Sequence, residues 1–316
     1  MPSNAVQHAR THGYRYKIRA THAPAIQLTE RDTEILAAVH KYRVLHRGHI
    51  CELFFQGNDD EGGSARRRLG LLYQHGYLER IPRFINPPIN NPGPAYRLAA
   101  RGAILLAQMT TISVDKFNYW GKAEDKEGRA TKLGHSYLEH NLLLADIRMA
   151  FERKVTEAGM VIPTWLDYHD LRPSWKTERA LIRLTPAAPE ENVAIAPDGY
   201  FVLQTQQGRG HFFLEADRGT ETVDKQWRRK ILAYKAYLLS GQFHKRYGVP
   251  RNIGFRVLTL VPSVNRAKNL QRAVERNGSP EGTSAFLFAP TPAFLISGLS
   301  DPIWLRAGLT VAQGVL

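Results

Sequence analysis

Residues 193–217 read VAIAPDGYFVLQTQQGRGHFFLEAD, two apolar runs joined by a polar, glycine-containing turn, and they decide the fold class. The runs 193–203 and 211–217 have strand character, with residues 204–210 as the turn between them. In the second run Glu215 and Asp217 are two positions apart, so along a strand they share a face. Pairing of the runs as a hairpin brings Asp198 towards Glu215. Three converging carboxylates make a hard oxygen site suited to Mg²⁺ or Mn²⁺, and such an ion activates water against a phosphodiester.

Working outward, the run 135–158 is a long amphipathic helix with Leu138, Leu142, Leu143, Ile147, Phe151 and Val155 at helical spacing, ending at Gly159. It carries Glu139, a candidate fourth metal ligand, with His135 and His140 nearby. A strand at 160–166 follows it. Beyond the hairpin come a helix at 223–239 (Trp227, Ile231, Tyr234, Leu238), a strand at 254–261, a helix at 264–276 and a strand at 285–288. The order α-β-β-β-α-β-α-β predicts an α/β domain on a mixed sheet, since three strands precede the second helix. Arg218 and Thr220, just past the acidic strand, suit a phosphate beside the metal. Residues 227–230 place a tryptophan and three cations in one stretch of helix.

Towards the N-terminus the pattern is different. Residues 1–28 contain basic side chains and no acid, which reads as a flexible basic arm able to lie along a phosphate backbone. Thr29 offers an N-cap with Asp32 three residues later, ahead of the stripe Ile35, Leu36, Val39 and Tyr42. A second helix is expected near 48–55. A third opens at an N-cap Ser64, with Leu69, Leu72 and Tyr73 on its apolar face and Gly76 as its C-cap glycine. Strands at 77–81 and 95–98 flank a turn-rich segment, and a last helix covers 99–108. Three short helices and a hairpin describe a winged helix-turn-helix over residues 29–109; residues 110–134 read as a linker and 135–316 as the second domain. Arg66, Arg67 and Arg68 lie in the first turns of the third helix, against its macrodipole, where an anion relieves the conflict. Ser64 and these arginines are therefore candidate DNA contacts, with Arg80 and Arg83 on the wing. Spacing cannot put all three arginines on one face.

The composition agrees with an anionic partner: 43 Lys+Arg against 29 Asp+Glu give a net charge of +14 over 316 residues. The excess is shared, because residues 1–130 and 131–316 each carry +7. A single cysteine, Cys51, excludes intramolecular disulfides and a cysteine zinc finger, and points to a reducing cytoplasm. No apolar run is long enough for a membrane span. Neither GxxxxGK[ST] nor GxGxxG occurs, so nucleotide-binding classes lack support.

Two resemblances follow. Pro197-Asp198 with Glu215-x-Asp217, in that order of elements, resembles the core of the PD-(D/E)XK nuclease superfamily, which implies a Mg²⁺- or Mn²⁺-dependent DNA endonuclease with Asp198, Glu215 and Asp217 at its centre. Asp217 stands where that superfamily has its lysine. The lysine has either moved to the next helix, with Lys225 and Lys230 as candidates and Lys230 the one assigned, or the domain is a degenerate binder. The chain as a whole resembles the bacterial replication-relaxation family of plasmids and mobile elements, through Leu28-Thr29-Glu30-Arg31-Asp32, Arg66-Arg67-Arg68-Leu69, Gly76-Tyr77-Leu78 and Tyr96-Arg97-Leu98. The likeness continues in Pro197-Asp198-Gly199, in Glu215-Ala216-Asp217-Arg218-Gly219-Thr220 and in Lys230-x-x-x-Tyr234. It implies a protein that binds double-stranded DNA at a replication or transfer origin, where a relaxase or replication protein is the expected partner; a homodimer is the expectation that winged-helix proteins raise by reading two half-sites. The alternative is a non-catalytic transcriptional regulator or adaptor whose second domain serves dimerisation or partner binding.

Overall fold

In this computed structural model the described residues are 19–20, 22–55, 63–81, 93–117, 119, 135–277 and 284–315. They form two compact units, Met1–Asp146 and Ile147–Leu316. The division falls inside one long helix, and the second unit starts twelve residues beyond the start expected for the second domain at 135.

The first unit begins where the sequence supplies a helix start. Helix α1 (Glu30–Tyr42) buries Ile35, Leu36, Val39 and Tyr42, the stripe that the spacing predicts. Its capping acid is Asp32, whose Oδ2 accepts the Thr29 backbone N–H at 2.7 Å and the Thr29 hydroxyl at 2.8 Å. Strand β1 (Leu45–His46) leads into α2 (Arg47–Phe54), capped by two histidines: His49 N–H donates to His46 Nδ1 and His46 N–H to His49 Nδ1. Helix α3 (Gly63–Gln74) buries Ala65, Leu69, Leu72 and Tyr73 and starts one residue before Ser64, which lies in its first turn and not at its N-cap. Gly76 follows at φ +73°, the left-handed conformation in which glycine has no steric penalty. Strands β2 (Leu78–Ile81) and β3 (Ala95–Leu98) complete an antiparallel sheet of order β1-β3-β2. Helix α4 (Ala100–Thr110) closes on it so tightly that a Cβ at Gly102 would stand 2.3 Å from the Tyr77 carbonyl oxygen.

The described end of the basic arm lies against this unit. Arg19 donates to the Tyr73 carbonyl at 2.9 Å and pairs with Glu79 at 2.6 Å, and Ala20 N–H reaches Gln74 Oε1. Arg83 and the tip of the expected wing lie outside the described residues, as do residues 1–18 and most of the expected linker.

Helix α5 (His135–Glu157) carries residues of both units. In the second unit β4 (Val161–Asp167), β7 (Gly199–Thr205), β8 (Gly208–Ala216), β9 (Arg256–Val261), β10 (Phe286–Pro290) and β11 (Leu305–Arg306) form a mixed six-stranded sheet of order β11-β10-β9-β8-β7-β4. A separate ribbon pairs β5 (Arg179–Ile182) with β6 (Glu191–Ala194) and packs on helix α6 (Arg228–Ser240). Residues 193–203, expected as one strand, are thus divided between β6 and β7. Pro197 between them has no N–H to give to a ladder, and Ile195 N–H turns away to the Glu178 carbonyl. The hairpin forms, but its antiparallel ladder runs from Gly199↔Leu214 to Thr205↔Gly208, so the turn is residues 206–207 and most of the expected turn 204–210 belongs to the strands.

The sheet is covered on both faces. Alternate residues of β8 point opposite ways: Phe213 packs against Tyr234 of α6, and Phe212 against Phe201, which meets Phe151 of α5. Helix α7 (Val264–Asn277) lies beside α6 on the first face and buries Ala267, Leu270, Ala273 and Val274. Among the described residues no helix is long and apolar enough to cross a membrane.

The first unit is pinned across its helices by one ion pair. Asp32 is fully buried, and Arg68 of α3 grips it with two donors, Nε at 2.6 Å from Oδ1 and the second guanidinium nitrogen on Oδ2. Burial alone would raise the Asp32 pKa, but the bonds from Arg68 and Thr29 hold it below the ordinary 3.8. A depressed carboxyl contributes stability at pH values above 3.8 that is lost as pH falls through its native value. Arg68→Ala should therefore cost about 3 kcal/mol in urea unfolding near neutral pH, because it leaves a buried charge unpaired. Arg66→Ala on the exposed face should cost under about 0.5 kcal/mol. Equal costs for the two would show that the pair does not hold the unit.

Candidate functional site

Asp198 precedes β7 and is fastened to the end of β8 by two backbone bonds: its N–H donates to the Leu214 carbonyl at 3.0 Å and its Oδ2 accepts the Ala216 N–H at 2.8 Å. The hairpin register places it next to Glu215, and the two carboxylates interact electrostatically. Glu215 is 2% exposed and faces α6. There Lys230 Nζ donates to its Oε2 at 2.8 Å and the Tyr234 hydroxyl to its Oε1 at 2.6 Å. Lys230 and Tyr234 are one turn apart on the helix, so a single face of α6 supplies both donors. Lys230 also lies 3.0 Å from Glu221 Oε2 and 5.0 Å from the centre of the Trp227 ring.

Burial raises the Glu215 carboxyl above its ordinary range, and the Lys230 charge pulls it back. Burial likewise works against the Lys230 ammonium, yet Glu215, Glu221 and Asp198 together hold its pKa above that of an ordinary lysine. Tyr234, wholly enclosed and beside an acid, is held in its protonated form.

Asp217 shares the strand face but not the cluster. Arg266 of α7 donates to its Oδ2 through Nε at 2.6 Å and to its Oδ1 at 3.3 Å, and Gly219 N–H also reaches Oδ1 at 3.0 Å. The same guanidinium donates to the Glu221 carbonyl at 2.6 Å, tying the loop after β8 to α7. Glu139 belongs to the first unit. Arg218 is half-buried directly after Asp217.

A divalent-metal site makes a definite demand on such residues. Magnesium or manganese requires carboxylate oxygens turned to one point with their charge unspent. Glu215 instead has both oxygens engaged by donors, one of them a full cation, and Asp217 is engaged by a guanidinium. The set as arranged does not fit the ion. Among the described residues the one group of three ligand atoms within 4.8 Å of one another is His46, His49 and Asp146, in the first unit. There both Nδ1 atoms accept backbone N–H groups of the α2 cap, so each neutral ring carries its hydrogen on Nε2, and His49 Nε2 lies 2.6 Å from Asp146. That cluster is arranged as a helix cap.

In the first unit the three arginines of α3 separate. Arg66 and Arg67 are exposed, with Arg67 3.3 Å from Ser64 Oγ, and Arg68 is turned inward onto Asp32. Arg80 of β2 lies 4.6 Å over the Tyr73 ring. Sequence reasoning named Tyr234 only in the helix stripe and in Lys230-x-x-x-Tyr234, without a place in the site, and missed Glu221 and Arg266. Tyr234 had a signal, since it follows Lys230 by four residues on a helix directly after the acidic strand. Arg266, 49 residues from Asp217, had none.

A family model described as replication-relaxation matches residues 36–253. No curated protein and no solved structure matches the chain.

The Glu215–Lys230 contact predicts strong coupling. In a double-mutant cycle of Glu215→Gln and Lys230→Met, unfolding free energies should deviate from additivity by about 2 kcal/mol, since either single change strands a buried partner. Additive effects would mean that the two side chains do not meet in solution.

Proposed function

Since this chain belongs to the replication-relaxation family, whose place is in replication or mobile-element biology, we propose that it is a duplex-DNA-binding protein whose first unit is a winged helix-turn-helix and whose second unit is a nuclease-like domain that binds without cutting. The observation that carries this reading is the division of the arginines on α3. Arg68 serves the fold, whereas Arg66 and Arg67 stand exposed in the first turns of the helix, the part that enters the major groove in helix-turn-helix proteins. Ser64 beside Arg67 adds a hydroxyl, and Arg80, with Arg83 and the basic residues before 19 read from the sequence alone, are further candidate phosphate contacts. A homodimer would set two such helices on half-sites about 34 Å apart. A relaxase or replication protein is the partner expected at an origin.

For the second unit, the order of elements and the meeting of Asp198, Glu215 and Lys230 support descent from a PD-(D/E)XK nuclease. The way each acid is neutralised supports the non-cutting form: Lys230 spends its charge on Glu215, and Arg266 spends its charge on Asp217. A second reading, the Mg²⁺- or Mn²⁺-dependent endonuclease, rests on the same meeting of Asp198, Glu215 and Lys230. Arg218 is the candidate phosphate ligand under either reading.

Two measurements test the proposal. Arg66→Ala and Arg67→Ala should each weaken duplex binding, about evenly across sequences where the arginine holds a phosphate and at chosen base pairs where it reads a base. An arginine that holds a phosphate should, when replaced, lower the salt slope by about one. Unchanged affinity in both variants would remove α3 from the interface. Supercoiled plasmid incubated with Mn²⁺ should stay intact; nicking that disappears in Glu215→Ala would establish the endonuclease reading instead.

A further inference from the structure

The carboxylate cluster at the end of the hairpin contains its own cation. Lys230 Nζ lies 2.8 Å from Glu215 Oε2 and 3.0 Å from Glu221 Oε2, and the charge of Asp198 acts on it as well. Two acids, at the end of β8 and in the following loop, thus meet one ammonium group, and the charge of a third, before β7, adds to theirs. We propose that Lys230 is a resident cation occupying the place a divalent ion would take, so that the native site needs no metal, and that removing the ammonium turns Glu215, Glu221 and Asp198 into a site for one. This inference rests on the nuclease-like, non-cutting reading of the second unit.

The physical argument is one of charge and space. A carboxylate 2% exposed cannot remain ionised without a counter-charge close by, and two means are open to the protein, a metal or a basic side chain. An ammonium is the side-chain cation closest to a metal ion in kind: a compact, strongly hydrated point charge with donors in several directions. Placed between two carboxylates it repels a second cation from the oxygens that would bind it. Tyr234 engages the other Glu215 oxygen, so that neither oxygen is left without a donor. Loss of the ammonium leaves two or three acids facing an unfilled charge deficit, the condition under which a hard divalent ion binds to oxygen.

The test uses the full chain and Mn²⁺ alone. Free Mn²⁺ is followed by electron paramagnetic resonance, and the unfolding temperature is measured with Mn²⁺ or with a chelator. Wild-type protein should show no Mn²⁺ site that Glu215→Gln removes, and its unfolding temperature should be the same in both solutions. Lys230→Met should be less stable, take up one Mn²⁺ per chain with a dissociation constant of about 10⁻⁴ to 10⁻³ M, and regain stability with the ion. Adding Glu215→Gln to that variant should abolish the uptake.

If Lys230→Met does not fold, Lys230→Gln removes the same charge while keeping a donor for Glu215, and the wild-type titration decides on its own whether the native site takes metal. One Mn²⁺ per wild-type chain, lost in Glu215→Gln, overturns the proposal, as does a folded charge-removed variant that binds none. DNA binding through Arg66 and Arg67 is read separately by its salt dependence, so its failure would count against the functional reading and leave the Mn²⁺ result intact.

Discussion

A carboxylate taken out of water must bring a cation with it. Among the described residues four acids are buried, and each is met by one basic side chain: Asp32 by Arg68, Glu178 by Arg246, Glu215 by Lys230 and Asp217 by Arg266. An uncompensated ion in the interior costs several kcal/mol, so each pair is an all-or-none condition on the packing around it. The partners are 36, 68, 15 and 49 residues apart, and each pair therefore fixes one element against another. Arg68 joins α3 to the start of α1, and Arg266 holds the loop after β8 to α7. Arg246 reaches Glu178, just before β5, and the Tyr237 hydroxyl of α6 meets the same acid at 3.0 Å.

This condition also decides which charges remain for a partner. In the run Arg66-Arg67-Arg68 nothing in the composition separates one arginine from the next. The separation comes from helical geometry: Arg68 is on the side of α3 that faces α1, where a buried acid awaits it, and Arg66 and Arg67 are on the exposed side. The acids divide in the same manner. Asp217 faces the same side of the sheet as Glu215, but α7 brings an arginine to it, so the three carboxylates that the strand pattern sets close together do not act as one group. Each such pair removes one cation and one acid together, so the +14 excess itself is left undiminished.

The elements were legible wherever they depend on local signals. The α1 stripe, the capping acid Asp32, the C-terminal Gly76 and the hairpin of β7 and β8 all follow from spacing or turn chemistry over a few residues. The division of 193–203 into two strands was written at Pro197, yet the apolar run on both sides concealed it. The histidine cap of α2 was hidden for a different reason: histidine is not among the residues that ordinarily cap helices, and only its ring geometry here makes it one. In the candidate site, Asp198, Glu215 and the lysine on the following helix could be named from order and spacing. Which cation meets which acid could not, since Asp217 and Arg266 become neighbours only when β8 and α7 are packed on the same sheet.

The choice of base at each buried acid carries a last piece of information. Three of the four acids are met by arginine, whose planar fork delivers two donors to one carboxylate, as Arg266 does to Asp217 and Arg68 to Asp32. Glu215 alone is met by lysine, and its second oxygen is given to Tyr234. Sharing with a tyrosine is not what distinguishes it, since at Glu178 Arg246 takes Oε1 and the Tyr237 hydroxyl takes Oε2. The ammonium takes one oxygen from Glu215 and one from Glu221, bridging two acids as no fork aimed at a single carboxylate does. Bridging several carboxylates at one point is what a metal ion does in an oxygen site. A basic side chain set between two carboxylates is therefore specific to this cluster, and it sets the cluster apart from the three arginine pairs, each of which meets a single buried acid.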